Sequence, residues 1–161
     1  PEAMEKFKAG ECDLVTTDGS GLVGNRAKEG ALNDWAIFPA SPISKEPLGP
    51  VYRSNDSQWA DIVNWTVYAT FIADEYGVGR ANVDSFDYDA NPEMGRLMGK
   101  NDGELQTVMG LSADAFYNVI KQVGNYDEIY SKNLNPVGLY REGSANAPWT
   151  EGGLIYAPPA R

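Results

Sequence analysis

The spacing of apolar residues predicts alternating helices and strands in the first forty positions. A short helix is predicted over residues 2–9 and a second over residues 20–29. Residues 12–17 and 35–38 are short apolar runs, typical of strands that are buried on both faces of a parallel sheet. The order strand, helix, strand is the pattern of a βαβ unit and favours the α/β class.

The pattern after residue 53 is almost entirely helical. The longest helix is predicted over residues 57–76, with capping candidates at 54–57. Its apolar positions cover most of the circumference, so we expect it to be largely buried. The tail, residues 137–161, is rich in Gly, Pro and Ala but also carries Trp149 and Tyr156, so we expect it to pack on the rest of the chain. Shorter helices are predicted to begin near Pro92, Leu105, Ser112 and Asn125.

Residues 45–53 join these two regions. Pro47 and Pro50 both forbid a helix there. The segment is therefore predicted to be extended, as a crossing between parts of the molecule rather than a central strand.

Composition narrows the possible functions. The 161 residues suit one domain or part of a larger one, and 23 acidic against 13 basic residues disfavour nucleic acid and anionic membranes as partners. The chain has no histidine and one cysteine, Cys12, so an internal disulfide, a His-based metal site and a Ser-His-Asp triad are excluded. We expect Cys12 to be a small buried hydrophobe, and no run reaches the roughly 18 apolar residues that span a bilayer. No metal site and no enzyme activity are predicted.

Residues 19–24 read Gly-Ser-Gly-Leu-Val-Gly and match the dinucleotide-binding pattern after a predicted strand. The acidic residue that this fold requires should end the second strand, but Asp34 precedes that strand. A nucleotide-cofactor enzyme thus stays an alternative, as does a structural fragment that binds no ligand.

Asp18 is the strongest candidate for a binding residue. It follows the first predicted strand, and ligands of open α/β sheets bind at the carboxyl ends of strands. A carboxylate at that position can pair with a cationic group of a small ligand. It can also cap the next helix, and its two oxygens allow both roles.

Five runs of the sequence carry a resemblance to a known family: residues 7–22, 43–51, 59–69, 118–130 and 149–159. The first resembles the second lobe of bacterial amino-acid substrate-binding proteins of ABC transporters, and the others resemble the general L-amino-acid-binding branch. The resemblance covers nearly the whole chain but only the C-terminal half of such a protein.

The resemblance implies a partial periplasmic binding protein type II-like fold, in which two lobes close on a free amino acid. Residues 1–44 would belong to lobe two, residues 45–53 would form the return hinge crossing, and residues 54–161 would be lobe-one helices and a wrapping tail. Asp18 would hold the ligand's α-ammonium. The hinge would include Lys45, Glu46, Pro47 and Leu48.

The family's function implies a periplasmic receptor that delivers L-amino acids to the permease of an ABC importer, with no cofactor. The arginine that holds the ligand's carboxylate in the family lies in the half upstream of Pro1. We therefore expect the chain alone to bind amino acids negligibly. We also expect its apolar faces to be covered by that missing half or by self-association.

Overall fold

A computed structural model describes residues 2–30, 34–39, 41–46 and 48–160. In those residues the chain forms seven α-helices and two 3-10 helices, the latter at Asn135–Val137 and Trp149–Glu151. The α-helices are α1 (Glu2–Lys8), α2 (Gly19–Lys28), α3 (Ser57–Glu75), α4 (Pro92–Leu97), α5 (Leu105–Val108), α6 (Ala115–Val123) and α7 (Tyr126–Leu134). Each predicted helix is present, with its ends shifted by a few residues at most.

Contacts divide the chain into two units. Unit 1 comprises residues 1–48 and 137–139, and unit 2 comprises residues 49–136 and 140–161. The division after Leu48 falls inside the predicted crossing segment, residues 45–53. The assignment of residues 1–44, 45–53 and 54–161 to lobes and hinge stays a prediction.

Unit 1 is built around α1 and α2. The ring of Phe7 in α1 packs edge-on against Trp35, with the centroids 5.1 Å apart. The Lys8 ammonium lies 3.3 Å from the carboxylate of Glu29. Val23 is the one residue of this unit, among its described residues, that is buried, and it keeps 6% of its surface exposed.

The two predicted strands, residues 12–17 and 35–38, are non-helical and unpaired. The described part of the chain contains no β-ladder, and its one isolated bridge joins Pro148 and Ile155. Leu14 is 64% exposed and Cys12 is exposed, so the expected burial of residues 12–17 is wrong here. A strand of a parallel sheet is buried by the strands and helices around it. The segments 12–17 and 35–38 do not pair with one another, and no other described strand flanks them.

The two halves of the long helix α3 differ in burial. Asp56 caps it, because its Oδ1 accepts a hydrogen bond of 3.0 Å from the backbone N–H of Trp59. Ala69, Thr70, Ile72 and Ala73 are buried in its second half, whereas Trp59 is about half exposed. The prediction of a largely buried helix is therefore right for the second half only.

The hydrophobic core of unit 2 is formed where the second half of α3 packs with α4, α6 and the loops between them. Its members are mostly large apolar side chains with no exposed surface: Val78, Val83, Met94, Leu97, Met98, Phe116 and Ile120. Gln106 is buried beside it and satisfies its amide by donating to the carbonyl of Leu97 at 2.6 Å. Removing these apolar side chains from water stabilises the folded state of unit 2.

The tail packs on this core through Ala157 and Ala160. Ala147, Ala157 and Ala160 are buried, whereas Trp149 and Tyr156, expected to pack, keep more than half of their surfaces exposed. Small side chains allow the tail backbone to lie close to the helices.

A buried arginine holds the start of the tail. The Arg141 Nη1 lies 2.5 Å from Asp74 Oδ2 in α3 and 3.4 Å from Asp127 Oδ1 in α7. Its Nε donates to the carbonyl of Asn146 at 2.7 Å. Burial raises the pKa of the Asp74 carboxyl, and the hydrogen bond from Arg141 opposes that rise.

Candidate functional site

The Asp18 carboxylate lies at the start of α2 without a partner among the described residues. The residue is exposed and non-helical, with φ −52° and ψ 141°. Its backbone carbonyl accepts the first helical hydrogen bond, from Leu22 N–H at 2.9 Å. Its side chain makes no capping bond to the helix. Side-chain capping is thus not observed, and both carboxylate oxygens can accept a ligand's hydrogen bonds.

Geometry at Asp18 suits a small cationic group. An ammonium carries three donors and no acceptor, so a carboxylate with both oxygens available can bind it directly. One exposed ion pair contributes only about 0–1 kcal/mol. Asp18 therefore needs further ligand contacts before it can hold an amino acid at low concentration.

The glycine-rich stretch does not form a phosphate-binding loop. Residues 19–24 all lie within α2, which begins at Gly19. A dinucleotide site needs the glycines in the turn between strand and helix, where their backbone N–H groups face the pyrophosphate. Here all three glycines, Gly19, Gly21 and Gly24, lie in α2 itself and none lies in the turn before it, so this arrangement argues against the nucleotide alternative.

The predicted hinge residues are partly described. Lys45, Glu46 and Leu48 are exposed and non-helical, and Leu48 N–H donates to the carbonyl of Glu46 at 2.9 Å. Pro47 lies outside the described residues. No hydrogen bond or ion pair in the described part of the chain joins Asp18 to this segment. The hinge role stays a prediction.

Unit 2 contains an open groove that the sequence did not reveal. Its volume is about 660 Å³, and its lining residues are Val51, Tyr52, Arg53, Asp56 and Trp59. Val51 is 96% exposed. The long helix is predicted to be largely buried, but Trp59, in its first turn, lies on this groove and is about half exposed. The apolar pair Val51-Tyr52 after Pro50 is the signal that could have found it.

Two acidic residues, Glu93 and Asp87, make structural hydrogen bonds. Glu93 accepts hydrogen bonds from the Tyr76 hydroxyl at 2.9 Å and from Ala160 N–H at 3.0 Å. Asp87 Oδ1 accepts from Ala90 N–H at 3.0 Å, which closes a local turn. The described residues include no group of three or more potential metal ligands. None of their helices is long and apolar enough to cross a membrane.

Comparison with known proteins gives a consistent set of relatives. The chain is 44% identical to the general L-amino acid-binding periplasmic protein AapJ of Rhizobium johnstonii, over 100% of this chain and 48% of that protein. It is 44% identical to the glutamate/glutamine/aspartate/asparagine-binding protein BztA of Rhodobacter capsulatus, over 99% of this chain and 47% of that protein. It is 40% identical to the putative amino-acid ABC transporter-binding protein YhdW of Escherichia coli, also over 99% and 47%. No family model matches the chain.

A solved structure shares the fold. An ABC transporter periplasmic binding protein from Brucella ovis, with glutathione bound, superposes with a TM-score of 0.91 at 41% identity. The match covers 99% of this chain and 50% of that one. The chain thus spans about half the length of the relatives it matches. The fold class predicted from the sequence, a partial periplasmic binding protein, is confirmed.

Proposed function

Because this chain is homologous throughout its length to about half of the amino-acid-binding periplasmic proteins of ABC transporters, we propose that it forms part of a receptor for free L-amino acids. The receptor would capture its ligand in the periplasm and deliver it to the membrane permease of an ABC importer. The names of the relatives support binding rather than catalysis. The fold match to a ligand-bound periplasmic binding protein supports the same function.

The observation that carries this proposal in the structure is the uncommitted carboxylate of Asp18. It is exposed, accepts no capping bond and stands directly before α2. In the assembled receptor it would bind the ligand's α-ammonium, in the role that the family resemblance assigns to it. The ligand's carboxylate would be held by residues of the other half.

The groove on unit 2 supports a second part of the proposal, namely that another polypeptide segment completes the receptor. Val51 and Trp59 expose apolar surface there, and residues 49–53 are non-helical with no paired strand in the described chain. Exposed apolar surface beside an unpaired backbone favours association with a further segment. The occupant we propose is the half of the relatives that this chain does not match. Self-association is the alternative.

Lys45, Glu46, Pro47 and Leu48 would then form the hinge between two lobes. A hinge requires a few residues at the ends of elements that absorb a change in φ and ψ. The exposed, non-helical conformation of the described residues of this segment supports that role.

The test is a substitution at Asp18 in an assembled receptor. The chain is co-expressed with the portion of AapJ that it does not match, and L-glutamate binding is measured by calorimetry. Asp18→Asn should weaken binding by about 1.5–3 kcal/mol, because a hydrogen bond to a charged group is lost. The matched control is Asp13→Asn, which removes the same charge from an exposed position five residues earlier. Equal affinities for the two variants would refute the role of Asp18.

A further inference from the structure

One face of unit 2 combines two exposed aromatic rings with a carboxylate. Trp149 and Tyr156 lie in the tail, with their ring centroids 6.2 Å apart in an edge-on arrangement. Their exposed fractions are 53% and 59%. Glu75, at the end of α3, accepts a hydrogen bond of 3.1 Å from the indole Nε1 of Trp149. We call Glu75, Trp149 and Tyr156 the aromatic–acidic face.

The tail holds this face in a defined conformation. Trp149 N–H donates to the carbonyl of Ile155 at 2.9 Å, and Ile155 N–H donates to that of Ala147 at 3.2 Å. These bonds close a short loop around the 3-10 helix Trp149–Glu151. Ala147 and Ala157, on either side of the loop, are buried. The aromatic rings are therefore presented to solvent by an ordered backbone.

The charge around Glu75 is negative. Burial raises the pKa of its carboxyl, the hydrogen bond from Trp149 opposes that rise, and the neighbouring negative charges of Asp74 and Glu93 add to it. In the described part of the chain, no lysine or arginine nitrogen lies within 4.0 Å of the Glu75 carboxylate. The nearby Arg141 is buried and already paired with Asp74 and Asp127.

Exposed aromatic rings beside a carboxylate favour one kind of partner. A guanidinium stacks on Trp and Tyr rings and donates two parallel hydrogen bonds to a carboxylate. Trp, Tyr and Arg also contribute most of the binding energy at protein interfaces. A small-molecule site would bury most of its ligand, which side chains as exposed as Trp149 and Tyr156 do not do.

We propose that the aromatic–acidic face is a docking surface for an arginine-bearing segment of a protein partner. Neither Asp18 nor the crossing segment contributes a residue to this face. The inference therefore goes beyond amino-acid binding and can fail independently of it.

The test uses the whole chain and two capped peptides, tri-arginine and tri-lysine. The probe is the NMR signal of the Trp149 indole N–H, identified by its loss in Trp149→Phe. Tri-arginine should shift this signal saturably and bind at least about threefold more tightly than tri-lysine. Only the guanidinium group of arginine can both stack on the aromatic rings and donate two parallel hydrogen bonds to the Glu75 carboxylate.

Two pairs of variants separate this site from general attraction to an acidic protein. Glu75→Gln should weaken tri-arginine binding about fivefold, whereas Glu104→Gln, an equal change at an exposed position in unit 2, should leave it unchanged. Tyr156→Ala should weaken it similarly, whereas Tyr140→Ala, at a tyrosine that is also exposed, should not. Gln at position 75 still accepts the Trp149 hydrogen bond, so the tail stays in place.

Several results would overturn the proposal. These are an unmoved Trp149 signal, equal affinity for the two peptides, and equal losses within either pair of variants. A Trp149 shift that depends on protein concentration without peptide would identify the face as a contact between copies of this chain. Protection of Trp149 when the other receptor half associates would assign the face to that half.

Discussion

The two units of this chain differ in how far they bury their apolar residues. Unit 2 encloses a core in which Phe116, Met94 and Leu97 have no exposed surface. In unit 1, Val23 is the sole described residue that is buried, and Leu14 remains largely exposed. Unit 2 has a buried core of its own, whereas the segments 12–17 and 35–38 of unit 1 have no paired neighbour in the described chain. We therefore expect unit 2 to be the more resistant of the two to unfolding.

The largest effect should come from opening the core of unit 2. Phe116→Ala should lower the free energy of unfolding by about 3–5 kcal/mol, because it removes a fully buried ring and leaves a cavity. Phe7→Ala in unit 1 should cost about 1 kcal/mol, since it removes one edge-on contact with Trp35 from a half-buried ring. Denaturant unfolding measures both. Equal losses would contradict the difference in packing between the units.

A pair of glycines tests how crowded each unit is. Gly99 in unit 2 has φ +65°, and a Cβ there would overlap the carbonyl oxygen of Ala113. Gly30 in unit 1 has φ +68°, but a Cβ there would meet nothing within 4 Å. Gly99→Ala should cost about 3 kcal/mol from overlap plus backbone strain, and Gly30→Ala about 1 kcal/mol from strain alone. Thermal unfolding of the two variants provides the comparison, and a Gly30→Ala loss as large as that of Gly99→Ala would argue against an open unit 1.

The N-cap residues of α7 and α2 should differ in their contribution to stability, by less than the substitutions above. Asn125 Oδ1 accepts from Glu128 N–H at 2.9 Å, and Glu128 Oε2 accepts from Asn125 N–H at 2.9 Å, which is a complete capping box. Asn125 also donates to the buried carbonyl of Val78 at 3.0 Å. Asn125→Ala should cost about 2 kcal/mol of stability. Asp18→Ala should cost less than about 0.5 kcal/mol, because its carboxylate makes no capping bond. A large loss of stability in Asp18→Ala would indicate instead that Asp18 caps α2.

The smallest expected effect is the contribution of Asp74 to the pH dependence of folding stability. Its folded-state pKa is raised by burial, although Arg141 opposes the rise. The stability it contributes is therefore fully present below its unfolded pKa and is lost as pH rises through the raised folded pKa. The stability of the wild type relative to Asp74→Asn should decrease between about pH 3 and about pH 6. Urea unfolding at these two pH values measures it, and an increase would contradict the sign.

The helices could be predicted because their signals are local. The N-cap at Asn125, the Pro at the start of α4 and the glycines after α1 and α2 mark helix ends within a few residues of the chain. The burial of residues 12–17 could not be predicted in the same way. An apolar run indicates a strand only if other strands lie beside it, and that depends on distant parts of a polypeptide.

The candidate site was only partly visible in the sequence. Asp18 could be found because it stands between an apolar run and a helix. The groove residue Trp59 and the tail residue Trp149 could not be placed, because helical spacing and apolar character do not distinguish a core face from an exposed one. Arg141 could not be found either, since its burial and ion pairs involve Asp74 in α3 and Asp127 in α7, which are distant from it in the sequence.

The most direct test of the central claim is a calorimetric titration of L-glutamate into two samples. One contains this chain alone, and the other contains the chain assembled with the portion of AapJ that it does not match. We predict saturable binding at one site in the assembly and no measurable heat of binding with the chain alone. Micromolar affinity of the chain alone, or an assembly that binds no amino acid, would contradict the account.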